Sequence, residues 1–194
     1  MKSILIAGVG GQGTLLASMV LGNIAIKLGY DVKLSEVHGM AQRGGSVVTY
    51  VRMGDAGERV YSPMIDEGGA DTLLAFEQLE ALRWLPYVKP GGKVYVNTQK
   101  TLPMPVITGA MEYPADIPEK IAKDHADAVF IDALALAKEA GSVKAVNTVL
   151  LGRMARDMDI ETRVWLDVIA GVVKPRFVEI NNKAFMLGYG EGNE

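Results

Sequence analysis

The sequence predicts an α/β fold with a doubly wound, mostly parallel sheet and a helical C-terminal section. Residues 4–13 (ILIAGVGGQG) run from an apolar strand directly into a glycine loop, and an apolar helical stretch follows. Further along the chain, short apolar runs alternate with segments of helical spacing. These runs are continuously apolar, as in parallel strands that are covered on both faces. Together the three observations are typical of a Rossmann-like sheet.

The remaining elements are predicted in order along the chain. Strands are expected at residues 46–53, 72–76, 94–97 and 128–132. Residues 89–92 (KPGG) predict a turn, because proline restricts φ and glycine accepts positive φ. Helices are expected at residues 77–87, 117–123, 133–140, 147–158 and 161–173, and from Pro175 toward Leu187. Because no repeat, linker or composition break divides residues 1–194, we expect a single domain whose helical section begins near residue 133.

The glycine loop is a candidate ligand-binding segment. Gly8, Gly10 and Gly13 have the G-x-G-x-x-G spacing, with Gly11 and Gln12 between them. Small residues here let the backbone approach a phosphate, while the following helix directs its N-terminus at the anion. We therefore predict that these five residues bind a cofactor or co-substrate. The alternative is a tight strand-to-helix turn without a ligand.

A second polar, glycine-rich segment (EVHGMAQRGGS, residues 36–46) follows the next predicted strand. Its candidate binding residues are His38, Gln42, Arg43, Gly44 and Gly45, and they show no helical or strand periodicity. Such a loop can present an arginine fork and backbone N–H groups to a phosphate or carboxylate. We expect the two loops to lie side by side at the carboxyl ends of neighbouring strands. The alternative is a glycine-rich connection whose charges are only solvated.

Glu36 keeps a different class of function open. It lies roughly 20 residues after the glycine loop, where dinucleotide-binding folds carry an acidic residue for the ribose. A free-standing NAD-dependent oxidoreductase is therefore one alternative, and a nucleotide-sensing scaffold without chemistry is another. A metal site at His38 is not expected, because the chain has two histidines and no cysteine, and His125 lies in a separate segment.

Composition excludes several kinds of site and partner. Without cysteine the chain cannot supply thiolates to an iron–sulfur cluster or form a disulfide, and this agrees with a reducing cytoplasm. The net charge of -3 and the lack of a basic cluster argue against nucleic acid as the main partner. No apolar run approaches the ~20 residues of a membrane span, and the N-terminus has a strand pattern rather than that of a signal peptide.

Beyond these local patterns, GVGGQG followed by SEVHGMAQRGGSVVTYVR closely resembles the gamma-type domain of 2-oxoacid:ferredoxin oxidoreductases. The resemblance extends over nearly the whole chain. Further matches are YSPMI at residues 61–65, the segment at residues 69–98, and PMPVITGAMEYP at residues 103–114. The segment HGMAQRGG is the part of the resemblance that is most specific to this family. Within the family, the motifs are most similar to those of the beta subunits of indolepyruvate:ferredoxin oxidoreductases.

The resemblance implies a role in a larger enzyme. Members oxidatively decarboxylate an aryl 2-oxoacid, join the acyl group to coenzyme A and pass electrons to ferredoxin. Thiamine diphosphate and iron–sulfur clusters belong, in that family, to the larger alpha subunit, so this chain is expected to be inactive alone and to carry no catalytic residue. Its two loops would border the partner's site on the coenzyme A side. Gamma subunits of the pyruvate, ketoisovalerate or oxoglutarate enzymes are the neighbouring alternatives.

Overall fold

Six strands form one mixed sheet in the computed structural model, which describes residues 1–39 and 44–190. The strands are β1 (Lys2–Val9), β2 (Val32–His38), β3 (Ser46–Met53), β4 (Ala70–Ala75), β5 (Val88–Asn97) and β6 (Val129–Ile131). Their order across the sheet is β2-β3-β1-β4-β5-β6. β1, β4, β5 and β6 pair in parallel, as expected for this fold class.

The strand next to β1 on its other side differs from the expectation. β3 pairs with β1 and with β2 in the antiparallel sense, so β2 is the edge strand and does not touch β1. The length of the connection explains why β2 and β3 are antiparallel. Only residues 39–45 separate β2 from β3, whereas a parallel crossover needs about a dozen residues or more. The sheet is still mostly parallel, because every strand except β3 runs in the same direction.

Helices cover both faces of the sheet, so the doubly wound prediction is confirmed. They are α1 (Thr14–Lys27), α2 (Gln78–Trp84), α3 (Met104–Ile107), α4 (Ile117–Asp124), α5 (Ala133–Ala140), α6 (Val146–Ala155), α7 (Thr162–Val172) and α8 (Val178–Tyr189). Short 3-10 helices at Leu85–Tyr87, Val143–Ala145 and Pro175–Phe177 precede or follow them. α5 to α8 form the predicted helical C-terminal section.

Two hydrophobic cores lie on opposite faces of the sheet. Ile4 and Ile6 of β1 join the core formed with α1 and with α5 to α8, whereas Leu5 and Ala7 join the core formed with α2 and α4. Successive residues of a strand point to opposite faces, and both faces are buried here. This is why the strand sequences are continuously apolar.

Two local predictions are corrected by the structure, and one short helix was not predicted. Residues 89–92 do not form a separate turn: they lie within β5, where the pairing with β4 shifts register between Ala70 and Thr72, and Gly91 has φ +75°. The strand before the second polar segment extends to His38, since residues 32–38 pair with β3. Residues 104–107 form the short helix α3. A helix of four residues is too short to show helical periodicity in the sequence.

The sheet and its helices account for the apolar segments of the chain. Across residues 1–39 and 44–190, no helix is both long enough and apolar enough to span a membrane. The edge of the sheet where β1, β4 and β5 end carries the polar segments discussed next. Ligands of open α/β sheets generally bind at such an edge.

Candidate functional site

The side chain of Gln12 shapes the glycine loop (residues 8–13). Its Oε1 accepts a hydrogen bond from the Val9 N–H at 2.9 Å, and its Nε2 donates to the Phe76 carbonyl oxygen at 3.3 Å. The backbone N–H of Gln12 donates to the Val9 carbonyl oxygen at 3.2 Å. The amide therefore ties the loop to itself and to the end of β4. Gln12 also lines a pocket beside the loop, and its predicted binding role stays a prediction.

Glycine is needed in this loop for two different reasons. Gly11 and Gly13 have φ of 97° and 86°, in the left-handed region that side chains rarely adopt. Gly8 has no such φ, but a Cβ there would lie 2.8 Å from Gln12 Oε1 and 3.1 Å from the Phe76 Cβ. Conformation thus requires the glycines at the end of the loop, and close packing requires the first.

The N-terminus of α1 meets the loop without a side-chain cap. Gly13 is the N-cap residue, and the first turn contains no acidic residue. The N–H groups of Gly11, Gly13 and Thr14 donate no hydrogen bond to any of the described residues. Free N–H groups and the positive end of the helix dipole favour an anion at this point. The loop therefore has the donor set that a phosphate would require.

The second glycine segment lies beside the first, as expected. The Gly10 N–H donates to the Gly45 carbonyl oxygen at 2.9 Å, and Val9 is paired with Ser46. Gly44 also has positive φ, at 73°. The juxtaposition arises differently from the prediction, because the second loop connects the end of β2 to the beginning of the antiparallel β3. Gln42 and Arg43 lie outside the described residues, and their binding roles stay predictions.

His38 and Glu36 lie on the same face of β2 rather than on a loop. His38 is exposed, and its Nδ1 is 3.3 Å from the Gly39 carbonyl oxygen. The Glu36 carboxylate accepts a hydrogen bond from Thr49 Oγ1 of β3 at 3.2 Å. In a dinucleotide-binding sheet, the strand that carries the ribose-binding acid is the parallel neighbour of β1. Here an antiparallel strand separates the two, so this geometry does not favour the NAD alternative.

Two open pockets flank the glycine loop. The β2-side pocket has a volume of about 470 Å3 and the α6-side pocket about 490 Å3. The first is lined by Gly10, Gly11, Gly13, Thr14, Leu15, Glu36, His38 and Val47. The second is lined by Gly11, Gln12, Gly13, Gln99, Leu134, Val143, Lys144 and Val146. Because Glu36 would repel an anion and Lys144 would attract it, the α6-side pocket is the more favourable place for a phosphate.

Lys144 and Asn147 are site residues that the sequence did not indicate. Lys144 belongs to the 3-10 helix before α6, and Asn147 Nδ2 donates to the Gly13 carbonyl oxygen at 3.4 Å. Both lie more than a hundred residues after the glycine loop in the chain. No local motif marks either residue, so only the packing of α6 against the loop reveals them.

A buried acidic cluster supports the same edge of the sheet. Glu77, which is 1% exposed, accepts hydrogen bonds from Tyr113 Oη at 2.5 Å and from the Thr101 N–H at 3.0 Å. Glu80 accepts from Ser46 Oγ at 2.6 Å, and this bond fastens the second glycine segment to α2. Burial is the main reason why the pKa of Glu80 is raised above its ordinary value.

The described residues contain no group of three or more histidine, aspartate or glutamate side chains arranged to hold a metal ion. The chain also contributes no cysteine. The groups that the structure shows at this edge include the uncapped N-terminus of α1 and the ammonium group of Lys144. A site of this kind can bind and orient an anionic ligand.

Comparison with known proteins places the chain among oxidoreductase subunits. The family described as pyruvate ferredoxin/flavodoxin oxidoreductase matches residues 3–191. The indolepyruvate oxidoreductase subunit IorB of Pyrococcus horikoshii is 42% identical over an alignment of 197 residues, which covers 99% of this chain and 96% of that protein.

Solved structures support the same fold. The PORC subunit of pyruvate oxidoreductase from Thermotoga maritima has a TM-score of 0.73 at 20% identity, with 97% of this chain and 94% of that chain covered. A 2-oxoglutarate:ferredoxin oxidoreductase chain from Magnetococcus marinus has a TM-score of 0.72 at 21% identity, with 97% and 30% covered. The family match over residues 3–191 and the 42% identical relative confirm the resemblance of the motifs: the chain belongs to the pyruvate ferredoxin/flavodoxin oxidoreductase family.

Proposed function

We propose that the chain is a single gamma-type domain that serves as the beta subunit of an indolepyruvate:ferredoxin oxidoreductase. The complex oxidatively decarboxylates aryl 2-oxoacids to acyl-coenzyme A and passes the electrons to ferredoxin. The Pyrococcus horikoshii subunit that carries the indolepyruvate name supports this choice, since the two chains align over nearly their full lengths. Gamma subunits for pyruvate, ketoisovalerate or oxoglutarate enzymes are the alternatives within the same family.

The hydrogen bond between Gly10 and Gly45 is the observation that carries the proposed role of this chain. It joins the two glycine segments at the uncapped N-terminus of α1. The free N–H groups there would favour the binding of an anionic ligand. Coenzyme A is a multiply phosphorylated co-substrate, and the Magnetococcus marinus enzyme was solved with coenzyme A bound. In our proposal the N–H groups of Gly11, Gly13 and Thr14 hold a phosphate of coenzyme A, with Lys144 beside them.

The larger alpha subunit supplies the remaining chemistry in this proposal. Thiamine diphosphate provides the decarboxylation chemistry there, and iron–sulfur clusters carry the electrons to ferredoxin. This chain has no cysteine for a cluster. In the Magnetococcus marinus protein, the matching region is 30% of a longer chain, which supports a stable association between this domain and a larger body. We place the hetero-oligomer in the cytoplasm and expect this chain alone to be inactive.

Reconstitution tests the division of labour. The purified chain should neither decarboxylate indolepyruvate nor reduce ferredoxin or a viologen dye, and activity should appear when the larger subunit is added. Turnover by this chain in the absence of the larger subunit would contradict the proposal. Titration of the isolated chain with NADH, followed by fluorescence, tests the dinucleotide alternatives. A saturable complex with NADH would favour an NAD-dependent enzyme or a nucleotide sensor.

Arg43 tests the coenzyme A role separately. If its guanidinium pairs with a phosphate, Arg43→Ala in the reconstituted enzyme should raise the KM for coenzyme A by roughly ten- to hundredfold, from a lost charge-assisted bond of about 1.5–3 kcal/mol. Arg43→Lys should recover part of the affinity, because an ammonium cannot form the bidentate fork. Arg59→Ala is the matched control, since Arg59 is exposed in the connection that follows the opposite end of β3.

Two other outcomes for Arg43 have distinct meanings. Weaker assembly with a normal KM in the residual complex would assign Arg43 to the subunit interface. If both assembly and the KM are unchanged, Arg43 is a solvated charge and has no part in the site.

The preferred 2-oxoacid is tested independently by comparing kcat/KM for indolepyruvate with that for pyruvate, ketoisovalerate and oxoglutarate.

A further inference from the structure

A third concave region, besides the β2-side and α6-side pockets, lies among the C-terminal helices. This C-terminal cleft has a volume of about 310 Å3 and lies between the first turn of α1, the connection from α5 to α6, and the connection from α7 to α8. Leu16, Val172, Phe177 and Ile180 give it a largely apolar wall. This volume and this lining are in the range of small-molecule sites in proteins.

The two charged residues that line the cleft have the same sign. Lys144 and Lys174 line it, and no aspartate or glutamate does so among the residues that the structure describes. Within that part of the chain, neither ammonium group forms an ion pair. The guanidinium of Arg176 lies 4.7 Å from the centre of the Phe177 ring and adds a third cation near the wall. This local excess is notable in a chain whose net charge is -3.

We propose that the C-terminal cleft binds a small amphipathic anion, namely an aromatic or branched apolar body that carries a carboxylate, sulfonate or phosphate. The apolar part would displace water from the wall formed by Leu16, Val172 and Ile180, and the anionic group would pair with Lys144 and Lys174. Burial of apolar surface supplies most of the affinity, and the lysines supply the preference for charge. The proposal does not depend on which 2-oxoacid the enzyme uses, but the cleft shares Lys144 with the proposed coenzyme A site.

The shared lysine links the cleft to the glycine loop. Lys144 lines both the C-terminal cleft and the α6-side pocket, whereas Lys174 lines only the cleft. An anion in the cleft and an anion at the glycine loop would therefore compete for one ammonium group. Lys174 is the better residue for testing the cleft, because its removal leaves the lining of the glycine-loop pockets intact.

A pair of fluorescent probes tests the proposal on the full-length chain. 8-Anilinonaphthalene-1-sulfonate has an apolar ring system with one sulfonate, and N-phenyl-1-naphthylamine has the same rings without the charge. We expect saturable binding of the sulfonate probe and weaker binding of the neutral probe. Lys174→Met should weaken the sulfonate probe roughly two- to fivefold, as for the loss of one exposed ion pair, and should leave the neutral probe unchanged.

Two further variants locate the binding. Lys138→Met is the matched control, because Lys138 is exposed on α5 and does not line the cleft; it should change neither probe. Ile180→Trp should fill the cleft and abolish the binding of both probes, with circular dichroism used to verify that the variant is folded.

Several results would overturn the proposal. These are the absence of saturable binding, equal affinity for the charged and neutral probes, and a sulfonate affinity that Lys174→Met leaves unchanged. Loss of probe fluorescence on adding one equivalent of the larger subunit would also overturn it, since the cleft would then be a surface that the partner covers. Retained binding in the complex would support a small-molecule site.

Discussion

The side chains of Gln12 and Asn97 donate hydrogen bonds to the same acceptor, the carbonyl oxygen of Phe76. The distances are 3.3 Å from Gln12 Nε2 and 3.1 Å from Asn97 Nδ2. Asn97 is completely buried, and its Oδ1 accepts a hydrogen bond from the Ala133 N–H at 3.3 Å. One carbonyl at the end of β4 thus connects the glycine loop after β1 to the end of β5 and the beginning of α5. The conformation of the loop is therefore coupled to the centre of the sheet.

This coupling predicts a specific effect of changing Gln12. Gln12→Glu keeps an acceptor for the Val9 N–H but replaces the donor to Phe76 with a carboxylate oxygen, which the carbonyl repels. We expect a loss of about 1–3 kcal/mol in the free energy of unfolding, measured by urea denaturation. Asn23→Asp makes the same chemical change on the exposed side of α1 and should cost about 0.5 kcal/mol or less. Equal losses would show that the Gln12 bonds contribute little.

Gly11 and Gly13 provide a matched comparison within one loop. Both have positive φ, so an alanine at either position should cost about 1–2 kcal/mol in backbone strain. A Cβ at Gly11 meets nothing within 4 Å, whereas one at Gly13 would lie 2.7 Å from Asn147 Nδ2. Gly13→Ala should therefore destabilise the chain further, by about 1 kcal/mol beyond Gly11→Ala, because of overpacking.

A double-mutant cycle tests the cause of that difference. Asn147→Ala removes Nδ2 and Cγ, the two atoms closest to the new Cβ, so the pair Gly13→Ala and Asn147→Ala should cost less than the sum of the single changes. Thermal and urea unfolding both report the four free energies. If the two changes prove additive, the contact between Gly13 and Asn147 does not restrict the loop.

Tyr113 stabilises the buried carboxylate of Glu77. Tyr113→Phe removes the hydroxyl donor and leaves the backbone donors in place, so we expect a loss of about 1–3 kcal/mol in the free energy of unfolding. Tyr61→Phe is the matched control because Tyr61 is 86% exposed, and its effect should stay within about 0.5 kcal/mol. A Tyr113→Phe variant as stable as the control would contradict this role of the hydroxyl.

Glu80 should make the stability of the chain depend on pH. Burial raises its folded-state pKa above the ordinary value of 4.5, so the folded state binds this proton more tightly than the unfolded state. The contribution of Glu80 to stability is then fully present below about pH 4.5 and is lost as the pH rises through the folded pKa. The unfolding free energy of the wild type minus that of Glu80→Gln should accordingly fall with increasing pH above that point.

Ser46→Ala provides a second measurement of the same group. The Ser46 hydroxyl donates to Glu80 Oε2 and lowers the pKa of the carboxyl. Its removal should raise that pKa further and extend the decline in stability to higher pH. Urea denaturation at a series of pH values measures both effects. A difference between wild type and Glu80→Gln that grows with pH would contradict the assignment.

The predictable part of the site lies within the strand, glycine loop and helix at residues 2–27. Apolar residues, the glycine spacing and the helical stretch are adjacent in the chain, so local patterns were sufficient to predict β1, the loop and α1. The same holds for α5, whose predicted bounds agree with the structure because Gly141 ends the helix with φ 108°. Lys144 could not be predicted in this way, since its proximity to the loop depends on the packing of α6.

The amino-acid sequence by itself determined the fold class and the glycine loop, because these depend on periodicity and spacing over short stretches of chain, and its motifs resembled those of the family over nearly the whole chain. The tertiary structure decided which elements became neighbours. A connection of residues 39–45 is too short for a parallel crossover, so β3 pairs with β2 in the antiparallel sense, and the packed sheet places β3 between β1 and β2. The tertiary structure also directs the amide of Gln12 toward Val9 and Phe76. It brings Lys144 and Gly13 together in the lining of one pocket. Such contacts supply hydrogen-bond partners to polar groups from distant parts of the chain. Local sequence patterns cannot predict which of these groups will pair.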